Sequence, residues 1–302
     1  MSETKTNYIP LFGILFISIL ILLSTLRVAQ APQATHQAAV TQYLMPQGPL
    51  PEIKAHAYIV KIIGAEKPLL SQRSWKKLPP ASLSKLLTAV LAREGLASNA
   101  WVEISMDAKA VEERKSTAPA GEEFLRDNMI TIALLPSAND AALALAEAIG
   151  EERGGETFEE KQTIFISLIN EKLKIMVGEE TRFENPTGLD NPQHRASAED
   201  FAKIGEYIWR NHLQLLEISR MMEKTVVSRA GNEYHILNTN ELLEEFPAIR
   251  GGKTGFTDEA KGTLMLFYPV RQGATAIIVI LGSEDRFGDG RKIIKWLENI
   301  VL

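Results

Sequence analysis

Residues 78–92 have the sequence LPPASLSKLLTAVLA, in which apolar residues at helical spacing follow two prolines. The pattern predicts a helix over residues 82–94. Ser82 and Lys85 then lie one turn apart on one face at the start of the helix, where the positive end of the helix dipole favours an alkoxide. Residues 74–77 have the same spacing, but the pre-proline restriction opposes a helix there, and we reject that second match.

The segments around this helix form a series of strands, then helices, then strands. Strands are predicted at residues 57–63, 68–72 and 101–105, and helices at residues 139–149, 158–176 and 198–209. Five more strands are predicted at residues 225–229, 233–237, 249–254, 263–268 and 274–281, before a closing helix over residues 289–301. This order predicts a mixed α/β (α+β) fold. We expect an antiparallel sheet of about five strands built from both ends of the chain, with helices on both faces and a mainly helical lobe.

Two further short motifs carry polar residues at the ends of predicted elements. Ser137-Ala138-Asn139 precedes an Ala/Leu-rich helix, where a serine or asparagine alone is typical of a helix N-cap. Lys253-Thr254-Gly255 follows two glycines on a predicted strand, where small residues let a ligand backbone approach the sheet edge. On its own, Lys253-Thr254-Gly255 is more typical of a strand that runs into a turn.

The composition excludes several classes of protein. The chain has 302 residues, a net charge of −5 and 24% charged residues, so a nucleic-acid partner is not expected. It contains no cysteine, which removes disulfides, thiol nucleophiles and cysteine-bound zinc. The five histidines show no spacing typical of metal ligands, and we expect no metal and no cofactor.

Residues 9–26 form an uncharged apolar run of a length that approaches what a bilayer-spanning helix needs. The length favours an uncleaved anchor, whereas residues 29–31 (AQA) resemble a signal-peptidase site, and both alternatives stay open. We expect an anchor or signal segment at residues 1–27, a flexible Ala/Gln/Pro-rich linker at 28–53 and a catalytic domain at 54–302. The body is then extracytoplasmic, in the periplasm or on the outer face of the cell membrane. Because the chain ends after its closing helix, membrane attachment is expected at the N-terminus.

The three motifs occur in the order Ser-x-x-Lys, Ser-x-Asn, Lys-Thr-Gly, which is the motif set of penicillin-binding proteins and serine β-lactamases. Five longer stretches resemble the low-molecular-mass D-alanyl-D-alanine carboxypeptidases of the S11 peptidase family. They are LPPASLSKLLTAVLA, LLPSANDAALALAEAIG, NPTGLDNPQHRASAEDFAKI, NTNELLEEFPAIRGGKTGFTDEAKG and VILGSEDRFGDGRKIIKWL. The resemblance covers about residues 55–302 and implies a β-lactamase/transpeptidase-like fold.

The resemblance also implies a reaction and a role for each motif. Ser82 attacks the carbonyl of the penultimate D-alanine of a peptidoglycan stem peptide, and water hydrolyses the acyl-enzyme. Lys85 takes the hydroxyl proton, Ser137 relays a proton to the leaving amine, and Asn139 orients Lys85 or the substrate amide. β-Lactam antibiotics are the expected covalent inhibitors.

Substrate binding is expected at the third motif. Lys253 and Thr254 hold the terminal carboxylate beside Gly255, and the backbone N–H groups of Ser82 and Phe256 form the oxyanion hole. Arg286 either joins the carboxylate site or lies on a solvated turn. A lysine base must be neutral, and we expect burial and the nearby charge of Lys253 to favour neutral Lys85.

Two residues depart from the family pattern, and three alternative functions stay open. Ala138 stands where glycine is usual, and Phe256 stands where histidine is common, which leaves substrate preference and deacylation rate in doubt. A DD-endopeptidase of the same family would have the same motifs. A β-lactamase is disfavoured because residues 140–252 contain no Glu-x-x-Leu-Asn-like segment. A non-catalytic penicillin-sensing module is disfavoured because the polar residues of all three motifs are present.

Overall fold

The computed structural model describes residues 49–299, so the predicted membrane segment at residues 9–26 lies outside the described residues. The strands are β1 (Ala57–Ile62), β2 (Leu70–Gln72), β3 (Trp101–Glu103), β4 (Glu123–Leu125), β5 (Glu223–Val227), β6 (Glu233–Leu237), β7 (Gly251–Thr257), β8 (Lys261–Pro269) and β9 (Thr275–Ser283). The helices are α1 (Ser84–Gly95), α2 (Met106–Ala110), α3 (Arg126–Leu134), α4 (Asn139–Glu151), α5 (Phe158–Val177), α6 (Ala198–Asn211), α7 (Leu213–Ser219), α8 (Leu242–Glu245) and α9 (Arg286–Glu298). Short 3₁₀ turns occupy Ala81–Leu83 and Arg271–Gly273.

The main sheet has five antiparallel strands in the order β2-β1-β9-β8-β7. β9, from the C-terminal third, pairs with β1 at one edge and β8 at the other, so both ends of the chain build the sheet. This confirms the expected fold class. β7, which carries Lys253-Thr254-Gly255, is one of the two edge strands of this sheet among the described residues, and β2 is the other.

Helices cover both faces of the sheet because side chains alternate along each strand. Gly205 on α6 lies against Met265 and Ile277, whereas Gly290 on α9 lies against Leu264, the neighbour of Met265 on β8. Consecutive strand residues point to opposite faces, so α6 and α9 lie on opposite sides. β8 and β9 are consequently apolar over most of their length and almost wholly buried.

The helical lobe packs around α1 and α4. α1 is buried over its first nine residues, and it contacts α3 and α4. α5 closes the lobe with Phe165, Ile169 and Leu173 facing inward, and its N-terminus has a capping box formed by Thr157 and Glu160. The 3₁₀ turn before α1 contacts β7 and β8, which joins the lobe to the edge of the sheet.

The structure differs from the sequence prediction at several elements. Ser82 lies in the 3₁₀ turn rather than in the α-helix, because Ala81 has a left-handed φ of 48° and α1 begins only at Ser84. β5 and β6 form a separate two-stranded sheet and do not join the main one. The closing helix begins at Arg286, three residues earlier than predicted. The short elements α2, α3, α7, α8 and β4 were not predicted, since each is too short for a clear period.

Residues 74–77 form a turn rather than a helix, as the prolines after them predicted, and Ser74 donates to Glu199. Within residues 49–299, none of the helices combines the length and the apolar character that crossing a bilayer requires.

Candidate active site

Ser82 and Lys85 meet where the 3₁₀ turn passes into α1. Residues i and i+3 eclipse one another in 3₁₀ geometry, which brings the Lys85 Nζ to 3.0 Å from the Ser82 Oγ. The Lys85 side chain is fully buried. The spacing in the sequence therefore correctly predicted that the hydroxyl and the amine share one face.

The other two partners of the Lys85 amine are carbonyl oxygens, which can only accept hydrogen bonds. Nζ donates to Asn139 Oδ1 at 2.7 Å and to the Thr187 carbonyl at 2.8 Å. A neutral amine has two N–H bonds and one lone pair, so these two acceptors leave the lone pair for the Ser82 hydroxyl. The arrangement fits a lysine that accepts a proton from Ser82.

Burial, and then the charge of Arg114, lower the pKa of Lys85 to about 7, while Asp140 acts in the opposite direction. At neutral pH a substantial fraction of Lys85 is therefore uncharged. The sequence predicted the effect of burial, but it named Lys253 as the second cation, whereas Arg114 acts in that role.

Ser137 and Asn139 lie on the junction between α3 and α4. Ser137 has a left-handed φ of 65°, and its buried Oγ has no hydrogen-bond partner among the described residues. Asn139 is the first residue of α4; its backbone N–H donates to the Arg114 carbonyl at 2.8 Å while its side chain holds Lys85. Asn139 was expected to orient either Lys85 or the substrate amide. In the structure its side chain contacts Lys85.

β7 brings the third motif against the nucleophile turn. A Cβ on Gly255 would lie 2.8 Å from the Ser82 backbone nitrogen and 2.4 Å from Thr263 Oγ1, so only glycine allows this approach. Lys253 is buried and donates from Nζ to the Thr254 carbonyl at 2.8 Å. Burial, with the charges of Lys85 and other nearby cations, lowers the pKa of Lys253.

A single pocket gathers residues from all of these elements. Its walls are Ser82, Arg114, Ser137, Thr254, Gly255, Phe256 and Arg286. Two of these residues, Arg114 and Arg286, carry a positive charge, and neither has a carboxylate ion pair among the described residues. Such a pocket suits an anionic ligand that reaches the Ser82 hydroxyl.

Arg286 lies on the wall of this pocket, at the first turn of α9, rather than on a solvated turn. Its guanidinium lies over the rings of Phe256 at 5.9 Å and Phe287 at 4.4 Å. The Arg286 Nε is buried without a partner among the described residues. Phe256 itself is about half exposed, at 52%, at the mouth of the pocket.

Arg114 is the pocket residue that sequence analysis missed. It lies in the exposed segment Glu112-Glu113-Arg114-Lys115, which matches no motif and reads as a solvated charged loop. Its left-handed φ of 27° and the bond from the Asn139 N–H to its carbonyl hold the loop beside the second motif. Only the fold brings this loop to Ser82, and no local signal marks it.

No group of three or more His, Asp or Glu residues within residues 49–299 is arranged to hold a metal ion. The polar groups in and beside the pocket are the Ser82 hydroxyl, the buried Lys85 amine at 3.0 Å from it, the Ser137 hydroxyl and two arginines.

Comparisons with known proteins identify the family of the chain. The family model for D-alanyl-D-alanine carboxypeptidase, peptidase family S11, matches residues 43–285. The D-alanyl-D-alanine carboxypeptidase DacF of Bacillus subtilis is 29% identical over 239 residues, which is 77% of this chain and 58% of DacF. The chain thus spans less than two thirds of that relative's length.

Two other relatives align over most of their length. A D-alanyl-D-alanine endopeptidase of Escherichia coli is 27% identical over 96% of this chain and 89% of its own length. The crystal structure of the Streptomyces K15 DD-transpeptidase superposes with a TM-score of 0.75 at 25% identity, covering 82% of this chain and 98% of that one. With its three motifs gathered around one pocket and the family match over residues 43–285, this chain belongs to the S11 peptidase family of D-alanyl-D-alanine carboxypeptidases.

Proposed function

We propose that the chain is a serine-type D-Ala-D-Ala carboxypeptidase that removes the terminal D-alanine from peptidoglycan stem peptides. The observation that carries the proposal is the 3.0 Å contact between Ser82 Oγ and a buried Lys85 amine whose other two partners are carbonyl oxygens. That geometry supports a hydroxyl activated by a neutral lysine.

In the proposed reaction, Ser82 Oγ bonds to the carbonyl carbon of the penultimate D-alanine while its proton passes to Lys85. The carbon–nitrogen bond then breaks, and the leaving amine takes a proton through Ser137, whose free hydroxyl faces the pocket. Water then adds to the acyl-enzyme carbonyl while Lys85 takes one of its protons, the bond between that carbon and Ser82 Oγ breaks, and the proton from water passes to Ser82 as the shortened peptide leaves. The N–H groups of Ser82 and Phe256 hold the oxyanion in both steps.

The substrate is held on β7. As an edge strand, β7 offers backbone groups to an extended peptide. Lys253, Thr254 and Arg286 bind the terminal carboxylate, which gives the Arg286 guanidinium an anionic partner that no protein carboxylate supplies among the described residues. Penicillins also carry a carboxylate that these residues can bind, so the proposal includes covalent inhibition at Ser82.

The test is intact-mass spectrometry of wild type and Ser82→Ala after exposure to penicillin, together with an assay of D-alanine release. We expect one penicilloyl adduct on wild type, none on Ser82→Ala, and D-alanine release by wild type alone. Rapid turnover of nitrocefin with no lasting adduct would indicate a β-lactamase. A stable adduct on a protein that releases no D-alanine would indicate a non-catalytic penicillin sensor.

A DD-endopeptidase activity is the second candidate, and a specific observation favours it. The endopeptidase of Escherichia coli aligns over 96% of this chain and 89% of its own length, compared with 58% of the length of DacF. Purified protein assayed on a pentapeptide stem and on a cross-linked dimer separates the two. Preferential cleavage of the dimer replaces the carboxypeptidase proposal.

We also propose that the domain works outside the cytoplasm, attached to or exported through the membrane by residues 9–26. The support is the uncharged apolar run in the sequence. Cell fractionation with mass measurement of the mature protein tests it. A mature N-terminus near residue 32 in the soluble extracytoplasmic fraction indicates a cleaved signal, a full-length chain in the membrane fraction indicates an anchor, and a full-length cytoplasmic chain contradicts export.

A further inference from the structure

A buried histidine that belongs to none of the three motifs lies beneath the nucleophile turn. His194 is 1% exposed, and its ring stacks on Phe183 with centroids 4.5 Å apart. It is more than a hundred residues from Ser82 in sequence and does not line the pocket. Its hydrogen bonds nevertheless lead to the residue before the nucleophile.

The direction of these hydrogen bonds follows from the donors available. The Glu184 backbone N–H donates to His194 Nδ1 at 3.2 Å, so Nδ1 carries no proton. The neutral ring therefore has its proton on Nε2, which donates to Ser84 Oγ at 2.8 Å. The Ser84 hydroxyl has a single proton, and it donates this to the Ala81 carbonyl at 3.0 Å.

The Ala81 carbonyl belongs to the backbone that determines where Ser82 lies. Ala81 has a left-handed φ of 48°, a conformation that a residue with a Cβ rarely adopts without outside support. Thr263 Oγ1 donates to the preceding carbonyl, that of Pro80, at 3.0 Å. The hydrogen bonds that run from His194 through Ser84 hold the next carbonyl, that of Ala81. Side chains therefore bind two consecutive carbonyls of the turn.

We propose that His194 is a positioning residue for the nucleophile, which acts through Ser84 to hold the left-handed Ala81 turn and so to set the Ser82 hydroxyl against Lys85. The inference rests on the proposed function, because it assigns His194 a part in the acylation of Ser82. His194 contacts neither Ser82 nor the pocket, and its effect is transmitted entirely through Ser84 and the turn.

Three single variants test the separate hydrogen bonds that link His194, Ser84 and the Ala81 carbonyl. Ser84→Ala removes the hydroxyl with little change in volume. His194→Leu removes the donor and leaves an apolar side chain on Phe183. His194→Gln keeps an amide N–H that reaches toward Ser84 and serves as the conservative variant. Leu173→Ala, a buried position on α5 away from the turn, controls for a general loss of stability.

The measurement is the acylation of full-length protein by a fluorescent penicillin, resolved into the pre-covalent dissociation constant and the first-order acylation rate. We expect Ser84→Ala and His194→Leu to lower the acylation rate by about tenfold to a hundredfold, as misplacement of a reacting group does. The dissociation constant stays within about twofold, since the carboxylate-binding residues lie on β7 and α9. His194→Gln recovers at least part of the rate, and Leu173→Ala keeps the full rate at a temperature where it is folded.

The double variant His194→Leu/Ser84→Ala supplies the decisive comparison. If both residues act along one chain, the double variant is no slower than the slower single variant. Losses that multiply, or single variants that acylate within twofold of wild type, overturn the positioning role. If His194→Leu does not fold, Ser84→Ala and His194→Gln still give a result. Folded wild-type protein that forms no adduct overturns the proposed function itself, which is a different outcome from normal acylation by the His194 and Ser84 variants.

Discussion

Two buried lysines occupy this site, and their contacts distinguish their roles. Lys85 Nζ lies 3.0 Å from the Ser82 hydroxyl, whereas Lys253 Nζ donates to the Thr254 carbonyl on its own strand. Each loses solvation on burial, and the charge of Lys85 further lowers the pKa of Lys253. The shorter distance to Ser82 supports Lys85 as the base of the proposed reaction, with Lys253 in the proposed carboxylate site.

Arg114 provides a test of how the Lys85 pKa is set. Arg114→Gln removes a cation that disfavours protonated Lys85, so the Lys85 pKa rises above about 7. Less neutral amine is then present below that pH, and the acid limb of the acylation profile moves to higher pH. We expect acylation by penicillin at pH 6.5 to slow by up to about tenfold, the equivalent of one pKa unit, and to approach wild type above pH 8.5.

Lys115→Gln is the matched control for this profile. It removes the same charge from the next residue, which is not part of the pocket wall, and its profile should follow that of wild type. A uniform fall of the Arg114→Gln profile at every pH would instead show that Arg114 binds the ligand directly.

The turn over residues 185–189 is a second element that contacts the Ser82–Lys85 pair and the turn before it. Asn185 Oδ1 accepts hydrogen bonds from the backbone N–H groups of Thr187, Gly188 and Leu189, which makes the turn compact. The turn presents the Thr187 carbonyl to Lys85 and places Gly188 against Ala81. Both halves of the Ser82–Lys85 pair therefore depend on it.

Gly188→Ala is expected to destabilise the protein and to abolish penicillin labelling. Gly188 has a φ of 87°, and an added Cβ would lie 1.8 Å from the Ala81 carbonyl oxygen. Gly231 has the same φ but nothing within 4 Å of an added Cβ, so Gly231→Ala measures the backbone cost alone. We expect about 1–2 kcal/mol for Gly231→Ala and about 1–3 kcal/mol more for Gly188→Ala by urea unfolding. If the two variants lost the same free energy of unfolding and Gly188→Ala were still fully labelled, the close contact between Gly188 and Ala81 would be contradicted.

The stability of the whole domain should depend on pH through His194. Burial, and then the charge of Arg195, lower the pKa of His194 to about 3, against about 6.5 in an unfolded chain. Between these values the unfolded state binds a proton that the folded state does not, so stability rises with pH and is lost as the pH falls below 6.5. The histidine alone should cost about 2 kcal/mol between pH 6.5 and pH 4.5.

Urea unfolding of wild type and His194→Gln at these two pH values tests this expectation. The variant lacks the titrating ring, so its free energy of unfolding should fall by about 2 kcal/mol less than that of wild type over the interval. The comparison uses the difference between slopes, because the carboxylates that titrate in this range are common to both proteins. If the free energy of unfolding fell by the same amount in both proteins, His194 would be taking up its proton in the folded state over this pH interval.

The architecture of the whole molecule explains why widely separated motifs act together. β1 and β2 come from the start of the described chain, and β1 pairs with β9 from its end. The helical lobe lies between β2 and the last three strands in sequence. The 3₁₀ turn, the α3–α4 junction and β7 consequently meet where the lobe joins the edge of the sheet. Because strands from both ends of the described chain build one sheet, residues 82, 137 and 254 line the same pocket.

Local patterns in the sequence determined the long elements, the fold class and the three motifs. The strand at residues 233–237 was predicted with its observed bounds, and the helices at residues 139–149 and 198–209 differ from the observed ones only at their ends. These elements are long enough for hydrophobic periodicity to identify them. The i, i+3 spacing of Ser82 and Lys85 likewise needs only the local backbone.

Tertiary structure alone decided the environment of those residues. The left-handed Ala81, the Thr187 carbonyl on Lys85, the charge of Arg114 and the hydrogen bonds of His194 involve partners far apart in the chain or a backbone angle that no local preference favours. Periodicity describes which face of an element is buried, but it does not say which other element covers that face. The pKa of Lys85 and the position of Ser82 depend on those covering residues, because desolvation and hydrogen bonding act through space and not along the sequence.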